Sequence, residues 1–62
     1  MKIDTDNLKV GQKIKIFDPD KMRWVNANVT AITEKTAEIT DETGQRWFDS
    51  LSNFADPEYY RS

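Results

Sequence analysis

Two arginine-tryptophan neighbours, Arg23-Trp24 and Arg46-Trp47, are the residues of this chain best suited to chemistry, and that chemistry is recognition. A guanidinium can lie on an indole face by cation-π attraction, and large rings supply the contact area enriched at binding hot spots. Phe17 and Gln45 join them: strand alternation leaves Phe17, Trp24 and Trp47 on the outer sides of their strands, and Gln45 adds an amide next to Arg46. The same Arg-Trp pairing also occurs as ordinary cross-strand packing, and each ring could instead cover a sheet end or dock Tyr59 and Tyr60. The carboxylate pairs Asp18/Asp20 and Asp41/Glu42 suggest acid-base work or calcium. Both lie in turns, however, where aspartate bonds nearby backbone, and neither has the regular acidic spacing of a calcium loop. Catalysis would need a pocket that raises one carboxyl's pKa, and no Gly-rich phosphate loop or activated Ser, Thr or Lys is recognisable. The chain therefore reads as non-enzymatic, with no cofactor and no metal.

Composition narrows the setting for those residues. Sixty-two residues make one domain, and a domain of this size buries only about 60% of the surface its unfolded chain exposes, so a deep cleft is not expected. There is no Cys and no His, which removes disulfides, thiolate metal sites and the usual proton shuttle near neutral pH. No apolar run has the length of a signal-peptide core or a membrane span, and the lack of Cys fits a reducing compartment, so a cytoplasmic protein with no membrane partner is expected. Nine basic and eleven acidic residues give a net charge of -2, which provides no global attraction for nucleic acid.

The elements that must position the candidate residues follow from period-two patterning. Lys13-Ile14-Lys15-Ile16-Phe17 alternates strictly and ends at Asp18-Pro19-Asp20-Lys21, where proline lacks an amide donor and presets a turn. From Arg23 to Thr33, Val25, Ala27 and Val29 share one face and Trp24, Asn26, Asn28 and Thr30 the other, until adjacent Ala31 and Ile32 break the alternation and predict a bulge or bend. Glu34 and Lys35 connect to a strand with Ala37 and Ile39 inward and Glu38 and Thr40 outward. Asp41-Glu42-Thr43-Gly44 then forms a hairpin turn in which Gly44 takes the left-handed conformation. The return strand runs from Gln45 to Ser50, with Phe48 inside and Trp47 outside. Ser50 to Phe54 reads as one tight turn dropping Leu51 and Phe54 onto the open end as a plug. The core expected is Ile14, Ile16, Val25, Ala27, Val29, Ile32, Ala37, Ile39, Phe48 and Leu51.

Lys9-Val10-Gly11-Gln12-Lys13, Trp24 to Ile32, Thr43-Gly44-Gln45-Arg46 and Leu51-Ser52-Asn53-Phe54 resemble, in order and spacing, the successive blocks of a Tudor domain. The resemblance spans roughly Leu8 to Phe54 and implies an all-β, strongly bent antiparallel sheet of five strands closed into a small SH3-like barrel. Residues 1–62 would form a single domain, with the barrel at about 8–54 and 55–62 as a tail or short last strand. In that family a cage of aromatic rings encloses methylated arginine or lysine. Here the cage positions fall near Asp18, Val25, Thr40 and Thr43, none of them aromatic, and only Gln45 keeps a related amide at the family's hairpin asparagine.

The function expected is an interaction module that binds a protein or peptide. Phe17, Trp24 and Trp47 would give apolar contact, with Arg23, Gln45 and Arg46 giving polar direction. Nucleic-acid binding through Lys13, Lys15, Arg23 and Arg46 is the alternative, and a structural role, as a subunit or as a self-associating protein such as a homodimer that buries its own tryptophans, is the third. So short a domain would suit a bacterial or phage accessory protein.

Overall fold

The computed structural model describes residues 2–62; Met1 of the expected 1–62 domain lies outside the described residues. The patterned segments form β1 (Lys13–Asp18), β2 (Arg23–Ile32), β3 (Thr36–Asp41) and β4 (Arg46–Ser50), followed by one helical turn, α1 (Leu51–Phe54), and a two-residue β5 (Tyr60–Arg61). A 3₁₀ turn at Thr5–Asn7 precedes them. All pairings are antiparallel, in the order β4-β3-β2-β1-β5.

This is an all-β, five-stranded antiparallel sheet, as the patterning predicts, but it does not close into a barrel. The ladder order leaves β4 and β5 as its two edges. The tail turn at Asp56 and Pro57 delivers the following residues to the free side of β1 and not to β4: Phe17 N–H donates to Tyr59 O at 2.9 Å, and Ile16 and Lys15 lie opposite Tyr60 and Arg61. The tail thus supplies the last short strand.

Nonpolar side chains facing inward from all five strands make the core: Ile14, Ile16, Val25, Ala27, Val29, Ala37 and Ile39 are buried, together with Ile3, Phe54 and Tyr60, while Ile32, Leu51 and Trp47 pack partly buried against them. Phe54, expected as a plug, is fully buried, with Leu51 partly buried. Phe48 does not belong to the core: it is 67% exposed, and Trp47 takes the inward position. Hairpin register is the cause. Asp41 pairs with Gln45 across a three-residue loop, its N–H donating to the Gln45 carbonyl at 2.9 Å, and this register sets inward Ile39 opposite Trp47 and outward Glu38 opposite Phe48.

Turn chemistry fixes that register. Asp41 Oδ1 accepts from Thr43 N–H at 2.9 Å, Thr43 Oγ1 at 2.6 Å and Gln45 N–H at 3.0 Å, with Gly44 at φ 89° completing the loop. The Thr43 hydroxyl is the main cause that holds the Asp41 carboxyl below its ordinary pKa; slight burial opposes it, and the two amides and Lys21 add to it. The bulge in β2 lies between Val29 and Ala31, one residue earlier than the break in alternation indicates, so that Thr30 stays outward and bonds Glu38 and Thr40.

The β1–β2 turn is held by Asp18 Oδ1, which accepts from the amides of Asp20 and Lys21, and it ends in strain. Met22 has φ 52°, the left-handed region, where a Cβ costs about 1 kcal/mol or more. Its side chain is 75% exposed, so little packing offsets that cost. Met22→Gly is therefore expected to stabilise the domain by about 0.5–1 kcal/mol, even after the greater freedom of glycine in the unfolded chain. The midpoint of a urea titration reads the effect; a lower midpoint would contradict this account of the turn.

Candidate functional site

The two sheet edges face one another across a seam spanned by side chains. Tyr60, on β5, donates its hydroxyl to Asp49 Oδ2 on β4 at 2.5 Å, and Asp49 Oδ1 accepts from Asn53 Nδ2 at 2.7 Å and from the Ser50 amide at 2.8 Å. Burial pushes the Asp49 carboxyl up, but these three donors outweigh it and hold it below its ordinary pKa. Burial, reinforced by the hydrogen bond and charge of Asp49, pushes the Tyr60 phenol well above its ordinary range, with only the Trp47 side chain opposing. The Tyr60 ring meanwhile packs on Phe54, with centroids 4.3 Å apart.

Along this seam lies a cleft of about 300 Å³. Ile16 and Phe17 from β1 line it, with Trp47 and Asp49 from β4, Asn53 from α1, and Asp56, Tyr59 and Tyr60 from the tail. A second groove of about 270 Å³, lined by Phe17, Asp18, Pro19, Asp20, Gln45 and Trp47, shares Phe17 and Trp47 with the first. Among the described residues the two together present four aspartates and no Lys or Arg. Aromatic walls with carboxylates and no competing cation attract a positively charged side chain.

Of the six residues singled out in the sequence, Phe17, Gln45 and Trp47 line one groove. Trp24 lies opposite Phe17 on the outer face of β1–β2, with ring centroids 5.5 Å apart, and the Arg61 guanidinium covers it at 4.3 Å from its centroid. Arg23 is exposed and pairs with Glu42 at 3.9 Å, and Arg46 is exposed opposite Thr40. The two arginines thus do not converge with the tryptophans on a single surface; the cation stacked on Trp24 is Arg61.

Sequence reading missed Asp49, Asp56 and Tyr59 as cleft residues and Tyr60 as its floor. Two signals pointed to Asp49: it follows Trp47 by two positions and so shares its inward face, and Asn53 stands four residues on, one helical turn away. No comparable signal marks Asp56, which is positioned by a tail turn.

Comparison of the chain with protein-family models, with curated proteins and with solved structures returned no match. Among the described residues no helix is long and apolar enough to cross a membrane.

Proposed function

We propose that this chain is a non-enzymatic interaction module that captures a basic segment of a protein or peptide in the seam cleft. The observation that carries this reading is the cleft's lining: aromatic residues Phe17, Trp47 and Tyr59 share it with Asp49 and Asp56 where the sheet stays open. We take the frame as SH3-like, of the Tudor-like kind but open at the seam. The strand order, the bend in β2 and the single helical turn between β4 and β5 support that assignment. The family's cage is absent from its usual positions, so any cation must be held by the seam's own rings.

Tyr59 is 55% exposed and Asp56 accepts from the Glu58 amide, so Tyr59→Ala and Asp56→Asn can remove a ring and a charge while the turn acceptor persists. Each is expected to leave stability within about 0.5 kcal/mol and to weaken binding of a short arginine-containing peptide about tenfold by titration calorimetry. Affinity equal to wild type in both variants removes the cleft as the binding site.

A second reading rests on the opposite face. Outward positions of β5, β1 and β2 place Arg61 on Trp24 and align Lys15, Lys13, Asn26 and Asn28 along the same face, with Lys15 opposite both Asn26 and Arg61 and Glu42 the one carboxylate lining the groove beside Lys13, Asn26 and Asn28. Such a face suits a single-stranded nucleic acid backbone. Three phosphate contacts would give a log-log salt slope of about -2 for a short single-stranded oligonucleotide. No binding at low salt eliminates this reading.

A further inference from the structure

The free edge of β4 adds a backbone feature to the same cleft. The β3–β4 ladder runs through odd-numbered residues: Asp41 N–H donates to Gln45 O, Leu51 N–H to Lys35 O, and Ile39 and Ala37 lie opposite Trp47 and Asp49. Antiparallel alternation then turns the N–H and C=O groups of Arg46 and Phe48 away from β3, toward the edge. The strand has no proline and no bulge, and its inward charge, Asp49, is already engaged by Tyr60 and Asn53. It also carries a 67% exposed phenylalanine, Phe48, on its outer side. An edge left this open is a template for another strand.

We propose that the bound segment adds to β4 as a sixth strand, with its backbone paired to Arg46 and Phe48. This rests on the peptide-binding reading above and specifies how the peptide is held. Strand alternation also dictates what the peptide is. A residue opposite Phe48 shares its outer face and is apolar or β-branched, whereas its two neighbours lie opposite Trp47 and Asp49 and project into the acidic cleft, so they are cationic. The ligand is an extended segment alternating a basic with an apolar residue. Charge complementarity favours it over a second copy of this chain, whose own β4 would bring Asp49 toward the same carboxylates.

The test uses the whole chain and a short capped peptide alternating valine with arginine. Three companions accompany it: the same residues in two blocks, an alternating valine-glutamate peptide, and the first peptide N-methylated at the amides that face β4. The alternating basic peptide is expected to bind, and each companion to bind about tenfold more weakly or less, the loss expected for two backbone hydrogen bonds or a reversed charge. On binding, the Arg46 and Phe48 amides should gain protection from hydrogen exchange. Phe48→Lys, exposed and hence harmless to folding, should weaken the peptide likewise. Equal binding of the N-methylated or block peptide overturns strand addition while leaving side-chain capture in the cleft intact; failure of every basic peptide to bind overturns both. Concentration-dependent dimers with those two amides protected before any peptide is added also overturn it, since the edge would then belong to a second copy.

Discussion

Phe54→Ala is expected to cost about 3–5 kcal/mol and to leave much of the population unfolded at room temperature. Phe54 is 0% exposed and stacks on Tyr60, so truncation opens a cavity against the ring that anchors β5 to the rest of the sheet. A domain of this length holds only about 3–9 kcal/mol in total, so the loss approaches the whole margin. Phe48→Ala is the matched comparison: the same residue type, on the outer side of β4, is expected to change stability by no more than about 0.5 kcal/mol. Circular dichroism through a urea titration measures both. A small effect at Phe54, or a large one at Phe48, would overturn the assignment of inside and outside along β4 and α1.

That pair of phenylalanines also marks where the sequence ceases to be legible. In β1, β2 and β3 polar and apolar residues alternate, so the inward face could be read directly, and Ile14, Ile16, Val25, Ala27, Val29, Ala37 and Ile39 are all buried. In β4 two large rings are adjacent, hydrophobicity does not choose between them, and only hairpin register decides. The turn Asp41 to Gly44 contained that register, because a glycine ending a three-residue loop pairs Asp41 with Gln45 and hence Ile39 with Trp47. The seam was less accessible still. Whether the last residues pair with β1 or β4 depends on how a tail turn at Asp56 and Pro57 spends its length, and no period in residues 55–62 encodes that. The rings of the candidate site could be picked out as types, while the carboxylates that give the cleft its character were scattered over β4 and the tail.

Tyr60→Phe is expected to lower stability by about 1.5–3 kcal/mol near neutral pH, and the loss should vary with pH in a way that packing alone cannot produce. Phenylalanine keeps the ring contact with Phe54, so the change removes the bond to Asp49 together with the Trp47 side chain's interaction with the hydroxyl. Asp49 has a depressed folded pKa, so the stability it contributes is present above its unfolded value of about 4 and disappears as pH falls through the lower folded value. Tyr60 has a raised folded pKa: its contribution is complete below its unfolded value of about 10 and declines as pH climbs above that. The deficit of the variant should therefore be greatest between about pH 5 and 9, and it should narrow below about pH 4, where the unfolded chain takes up the Asp49 proton before the folded one does, and above about pH 10, where the unfolded wild type loses its phenolic proton. Urea midpoints for both proteins at acid, neutral and alkaline pH supply the measurement. A deficit constant across that range would mean that the Tyr60–Asp49 bond does not tie β5 to β4. The cleft would then lose its floor as a defined element, because the peptide slot exists only while these two edges are held at a fixed separation by side chains in place of a ladder.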